Sequence, residues 1–520
     1  MPTLVEAEIR HARHYLTALK AAAERYSQSS ESPTRDLSTF DQEWPSIQKG
    51  QASAARRLEV DDMASLCNLY FEAGLNLLSV QLHPNEYLPW LDSSLAAARC
   101  LNDRSAEAKV LGTLGRAFTA LSKNSRAVKH YEQALMLSRE LGDRQLEAGL
   151  LGNLGLLYFE LGRRQRAVEL QAQAFEISRE RDDSRSAANA LGNLGIVFMA
   201  SGKTRKAFAH FQRQLEFALK ADDDLGQSSA LGNLALAHLS LGNMRQAINY
   251  SEQQLEITRR IRDRHGEGYA LNNMATAYAN LGELDRAVEL WKQCREITER
   301  IDNRRLLRTV LSNLGTSYFT LGHKQRAVEI HEQSLSMARE IGDQRAEATA
   351  LGNLASALLA CGQISRSIEM QNQRLVMARK LEDRPGECNA LCSLGRAHTE
   401  LKELSKSVEF YERALIIGRQ IEDRLEISRA LHGLGVASAA LGETSRAVEY
   451  YNESLVWSRR IGNGTGEYAT LRRLARCYAQ LGDSRRAQES YQQAQAISRS
   501  LKDNARKTLT EGASGPPCRT

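Results

Sequence analysis

An all-α solenoid of antiparallel helix pairs is the fold class this sequence predicts, and three observations predict it. First, Leu111-Gly-Thr-Leu-Gly recurs every forty residues as Leu151-Gly-Asn-Leu-Gly, Leu191-Gly-Asn-Leu-Gly, Leu231-Gly-Asn-Leu-Ala, Leu271-Asn-Asn-Met-Ala and Leu311-Ser-Asn-Leu-Gly. It continues as Leu351-Gly-Asn-Leu-Ala, Leu391-Cys-Ser-Leu-Gly, Leu431-His-Gly-Leu-Gly and Leu471-Arg-Arg-Leu-Ala, ten units without an insertion or deletion. Second, apolar residues inside a unit recur at helical spacing. Third, turn and cap residues return at fixed columns. A period of this length marks units that bury their apolar faces only against their neighbours. Such a chain offers one long surface rather than a pocket, so binding is expected before chemistry.

From the N-terminus, His11 to Tyr26 and Leu37 to Leu58 read as helices separated by the polar loop Ser27 to Arg35, and residues 1–70 form a helical N-terminal segment. Residues 71–110 keep the phase in degraded form, with Phe71-Glu-Ala-Gly-Leu aligned to the signature, and read as a divergent capping unit. Residues 111–502 hold the ten regular units. Ser184 to Asp223 is the specimen. Its first helix, Arg185 to Ala200, carries Leu191, Leu194, Gly195 and Phe198 on one stripe. Gly202 stops that helix, as Gly does in eight of ten units, Ser122 and Lys402 being the exceptions. The second helix, Thr204 to Ala221, is expected to face Ala207, Phe211, Leu215 and Phe217 inward. Asp143, Asp183, Asp223, Asp263, Asn303, Asp343, Asp383, Asp423 and Asn463 then stand where an N-cap is needed, with Asp503 in the same column. The last unit replaces the Leu column by Gln495, as suits a final helix with no neighbour, and residues 503–520 are expected to be a disordered tail.

A hydrophobic fraction of 42% and a charged fraction of 25% are ordinary for a soluble chain, and the net charge of +6 is spread among interleaved acids and bases. This excludes a nucleic-acid partner as an expectation. No run of eighteen apolar residues appears, so no membrane span is expected, and Met1-Pro-Thr-Leu-Val-Glu-Ala-Glu does not read as a signal peptide. A cytoplasmic protein with reduced thiols fits. Cys388 and Cys392 lie one turn apart, but six residues separate Cys392 from His398 and turn the imidazole round the helix, so no metal is expected. Gly202-Lys203-Thr204 imitates the end of a phosphate loop but has Val197 where the first Gly belongs. His238 and His398 stand in an aromatic column and read as core. No cofactor, catalytic constellation or enzyme is expected.

One column asks for more than structure. Asn153, Asn193, Asn233, Asn273, Asn313 and Asn353 repeat in six consecutive units, roughly 140° round the helix from the aromatic column. Asn costs ~0.6 kcal/mol against Ala inside a helix. An amide offers one donor and one acceptor, matching the main chain of an extended peptide; bonds to neighbouring helices, or a residue merely copied by duplication, are the alternatives. Leu156, Ile196, Leu236, Thr276, Thr316 and Ser356 share that face, and Arg396, Arg429, Arg472, Arg473 and Arg476 make its C-terminal part basic, opposed by Glu400. These arginines are expected to contact an acidic ligand segment, although a solvated helix face carries such charges equally well.

The columns Leu154-Gly155, Tyr158, Gly162, Ala167 and Ala174 resemble the tetratricopeptide repeat (TPR). Forty-residue units ending in Gly-Asp-Arg are similar to those of the Leu-Gly-Asn adaptor, kinesin light chain and bacterial TPR arrays. Phe40-Asp-Gln-Glu-Trp-Pro-Ser-Ile-Gln-Lys-Gly-Gln-Ala resembles a helical segment that precedes such arrays in bacterial proteins. The resemblance implies a right-handed superhelix whose first helices line a concave groove. It also implies a protein or extended peptide as partner, hence a scaffold or adaptor, or else a peptide-responsive sensor controlling a partner enzyme or transcription factor.

Overall fold

The computed structural model describes residues 4–28 and 38–513, all-α and built from sequential antiparallel helix pairs, with no strand among the described residues. The chain divides into two compact units, Met1–Leu241 and Gly242–Thr520. In the first, α1 (Leu4–Gln28) and α2 (Ser38–Arg56) precede α3 (Asp61–Gln81), α4 (Pro84–Cys100), α5 (Arg104–Ala120) and α6 (Asn124–Glu140). They are followed by α7 (Arg144–Glu160), α8 (Arg164–Glu180), α9 (Ser184–Ala200), α10 (Thr204–Lys220) and α11 (Asp224–Ser240). The second unit holds α12 (Met244–Arg260), α13 (Arg264–Asn280), α14 (Leu284–Arg300), α15 (Arg304–Thr320), α16 (Lys324–Ile341), α17 (Gln344–Ala360) and α18 (Ile364–Lys380). It closes with α19 (Arg384–Glu400), α20 (Leu404–Gln420), α21 (Arg424–Ala440), α22 (Thr444–Arg460), α23 (Gly464–Gln480) and α24 (Ser484–Ala513). No described helix is long and apolar enough to cross a membrane.

Local chemistry sets the ends of these helices. Asp143, Asp183, Asp263, Asn303, Asp343, Asp383, Asp423 and Asn463 each accept a backbone N–H of the following first turn, whereas Asp223 makes no such bond. The turn between the helices of a pair demands a left-handed residue. Gly202 supplies it at φ 71°, and Ser122 and Lys402 are forced into the same region at 56° and 61°.

Packing follows the helical period with one correction to the specimen unit. Ala207, Phe211, Gln214 and Ala218 are the buried residues of α10, while Leu215 and Phe217 are half-buried on its flank. The stripe of positions three and four apart runs through Gln214 and Ala218, and Phe217 instead meets Phe175 edge-on at 5.8 Å. Close pairing of helices within a repeat needs glycine: a Cβ on Gly435 would stand 2.6 Å from the Tyr451 ring. A continuous core from Phe71 to Val197 runs through the repeats of the first unit, as a solenoid requires.

Helix α3 of the divergent pair begins at Asp61, and α5 begins at Arg104, as far ahead of Leu111 as α9 begins ahead of Leu191. The N-terminal helices dock on that divergent pair, with Trp44 stacked on Trp90 at 5.4 Å and Tyr70 Oη donating to the Ala12 carbonyl at 2.8 Å. The polar loop expected at Ser27 to Arg35 lies almost wholly outside the described residues. Helix α24 continues to Ala513, past the Asp503 where a disordered tail was expected to start. Asp503-Asn-Ala-Arg-Lys-Thr-Leu contains no Gly or Pro to stop it. Residues 514–520 lie outside the described residues. Gln495 is exposed.

Candidate functional site

Within each unit, successive first helices touch: α5 with α7, α7 with α9 and α9 with α11 in the first, and α13 through α23 likewise in the second. From α4 onward, successive second helices within each unit make no comparable contact among the described residues. The first helices therefore take the shorter, inner side of each unit's curve. Exposed residues on that side come from the column of Leu156 (37%), Ile196 (39%) and Leu236 (45%), an apolar row open to solvent.

The asparagine column runs beside this row at half-burial. Asn193 Nδ2 donates to Gln171 Oε1 at 3.3 Å and Asn233 Nδ2 to Gln214 Oε1 at 3.1 Å, each reaching the second helix of the preceding repeat. Gln171 in turn donates to the Gly152 carbonyl at 2.7 Å. Part of the column's role is thus to satisfy buried glutamines between repeats, with Asn193 and Asn233 keeping their Oδ1 atoms for another donor. Asn153, Asn313 and Asn353 are half-buried, and Asn273 is buried at 3% exposure.

In the second unit a cavity of about 700 Å³ opens among α19, α21 and α23, with Arg396, Arg429, Arg473 and Glu400 in its wall. Arg472 and Arg476 are exposed but are not in that wall; Arg472 lies over the Tyr468 ring at 5.8 Å. Arg429 is already held, its Nη1 2.6 Å from Glu426 Oε1. Arg396 and Arg473 carry the positive charge offered to a visitor. His432 also lines this cavity, donating to or accepting from Thr470 Oγ1 at 3.0 Å. Burial, with Arg473 nearby, pushes its pKa down to about 4. Beneath it, Arg374 Nη1 donates to Asn389 Oδ1 at 2.7 Å and Asn389 Nδ2 to Glu426 Oε1 at 3.1 Å. Sequence reasoning missed Arg374, Asn389, Glu426 and His432. Arg374, Glu426 and His432 depart from their columns in the other repeats, and a column-by-column search for outliers would have found them, whereas Asn389 repeats Asn189 and gives no such signal.

In the first unit a smaller hollow of about 430 Å³ collects Phe71, Lys109, Arg116 and Asn153. His238 and His398 are buried; His398 stacks on Phe410 at 5.1 Å and bonds Glu403 at 2.8 Å through Nδ1.

Helix pairs of constant length, stacked with their first helices inward, define a helical-repeat array. The chain belongs to the tetratricopeptide repeat family, whose model matches residues 107–180, 146–220, 186–260, 266–340, 346–420 and 426–500. Among curated proteins, none matches it in sequence. The signal transduction ATPase with numerous domains and a tetratricopeptide repeat sensor from Pyrococcus horikoshii is similar over 88% of this chain and 74% of its own, at 13% identity and a TM-score of 0.56. The apo quorum sensor NprR of B. thuringiensis aligns over 72% of this chain and 99% of its own, at 15% identity and a TM-score of 0.49. BtubC (BKLC) of P. vanneervenii aligns over 42% and 92%, at 21% identity and a TM-score of 0.39. At such identities the likeness is one of fold.

Proposed function

We propose that the inner face of the first helices binds an extended peptide or the tail of a partner protein, and that the chain works as a non-catalytic scaffold. The observation that carries this reading is the exposed row Leu156, Ile196 and Leu236 beside the half-buried amides of Asn193 and Asn233. The row gives apolar contact to alternate side chains, and each Asn oxygen accepts a ligand N–H. An extended chain rises ~3.3 Å per residue, so its N–H groups recur often enough to meet amides set one per repeat. In the second unit, Arg396 and Arg473 favour acidic ligand residues, with Glu400 setting direction.

The test is a display selection of unstructured random peptides on the full chain, followed by affinity measurement. Asn193→Ala with Asn233→Ala is expected to weaken the selected peptides roughly 5–150-fold, at ~0.5–1.5 kcal/mol per hydrogen bond, with helicity unchanged. Peptides bound as tightly by the variant, or by a chain carrying Leu156→Glu and Ile196→Glu, would exclude this face.

A further inference from the structure

Three residues in consecutive repeats depart from their columns at one spot. The Cys388 column holds Ala in Ala108, Ala148, Ala188 and Ala348; the Cys392 column holds Gly in Gly112, Gly152, Gly192, Gly232 and Gly352. The Glu426 column is otherwise uncharged and mostly small, as in Gly226, Gly266, Ala346, Gly386 and Gly466. The repeat serves as its own control: small residues suffice here for packing, so two thiols and a carboxylate are not needed to build the fold.

We propose that Cys388 and Cys392 of α19 and Glu426 of α21 form a binding site for a thiophilic divalent cation of the zinc class, joining two repeats. Their sulfur and oxygen atoms all lie within 4.8 Å of one another. Ligands around zinc sit at ~2.3 Å for sulfur and ~2.0 Å for oxygen, which makes a tetrahedral edge of roughly 3.7 Å, so modest side-chain rotations close the set. Cys388 is fully buried and Glu426 is 5% exposed. Glu426 Oε1 is oriented by Asn389 and Arg429, while its Oε2 is buried without a hydrogen-bond partner. An oriented carboxylate with one free oxygen is what an outer shell of hydrogen bonds provides for a metal ligand. Cys392 lines the cavity described above, which gives an ion a route in and leaves the fourth position to water or a ligand group. The expectation of no metal weighed Cys388 and Cys392 only against His398 on the same helix; the third ligand proposed here comes from the next repeat.

Charge and protons balance without redox chemistry. The cation displaces one proton from each thiol to solvent, two S–H bonds giving way to two metal–sulfur bonds. Glu426 and Arg429 of α21, Arg374 of α18 and Tyr411 of α20 are the titratable and charged groups gathered round the pair. The two arginines offset the charge of two thiolates and a carboxylate around a divalent ion. A polar knot in which Glu426 only balances Arg374 through Asn389 accounts for the carboxylate but not for both thiols or the free oxygen.

The reduced, metal-free full chain is titrated with Co²⁺, and the near-ultraviolet thiolate-to-cobalt band is followed before Zn²⁺ is added. One equivalent of band that Zn²⁺ bleaches is expected. Cys388→Ala with Cys392→Ser should abolish it while helicity and melting hold, since Ala348 and Ser312 occupy the same columns. Glu426→Gln should weaken Co²⁺ by ~10–100-fold. Absence of a thiolate band in the folded wild type, or a band that persists in the double variant, would overturn the site. Peptide capture by the first helices does not enter this measurement.

Discussion

His331 occupies the column that Phe211, Trp291, Tyr411 and Tyr451 fill in other repeats, against a glycine whose Cβ would stand 2.7 Å from the ring. It is 2% exposed, its Nδ1 has no hydrogen-bond partner, and burial pushes its pKa down to about 4. The unfolded chain titrates near 6.5, so between these values the unfolded state holds more protons and stability rises with pH. The contribution is fully present above ~6.5 and is lost as pH falls towards 4, on the order of 3 kcal/mol for this residue. His331→Phe should flatten the fall of the urea midpoint between pH 7 and 4, and equal slopes in wild type and variant would refute the assignment. Lys402 carries a φ of 61° where eight repeats have Gly. A left-handed L-residue costs ~1–2 kcal/mol, against ~0.5–1 for glycine's lost backbone freedom. Lys402→Gly should therefore raise the urea midpoint slightly, and Gly322→Lys should lower it. The turn and cap columns were legible because Gly and Asp each state a local need in the chain. The packing of Gln171, Gln214, Arg374 and Glu426 was not legible, even where the residue stands out in its column. A polar residue on a helix looks solvated until a helix from the next repeat is laid over it.

Consecutive repeats are joined by a recurring ion triad as well as by apolar contact. Arg139 and Arg144 hold Glu147 at 2.8 and 2.7 Å, Arg259 and Arg264 hold Glu267 at 2.9 and 2.7 Å, and Arg379 and Arg384 hold Glu387 at 2.8 and 2.7 Å. In each, one arginine ends a second helix and the other starts the next first helix beside its glutamate. The sequence gives these glutamates a place in the first turn, where the helix dipole favours them; only packing adds the second arginine. Burial alone would raise the Glu267 pKa, but the two arginines together hold it below the usual carboxylate range. Its contribution is present above the unfolded value and is lost as pH falls through the folded one. Because the arginines are half-exposed, Glu267→Ala should cost ~1–3 kcal/mol, less than a fully buried pair would. The corresponding change at an exposed glutamate such as Glu252 should cost under ~0.5 kcal/mol. Comparable losses at both positions, read from urea midpoints, would remove the triad's structural role.

Each repeat meets its neighbours through the same faces, so a whole repeat can be removed without exposing a new one. Deleting residues 184–223 joins Asp183 to Asp224 and keeps the cap and turn columns in phase. That protein should stay helical, whereas deleting only residues 184–203 should unfold it more readily, because it joins Asp183 to Thr204 and places a second helix where a first helix belongs. Equal stability of the two deletions would show that the repeat boundaries are misplaced. Binding along the first helices is the central claim, and photo-crosslinking of a selected peptide carrying a benzophenone tests it most directly. Crosslinks read by mass spectrometry are expected at Leu156, Ile196 and Leu236 and their neighbours on the first helices. Crosslinks confined to the exposed faces of second helices, at residues such as Gln212 or Glu252, would contradict it.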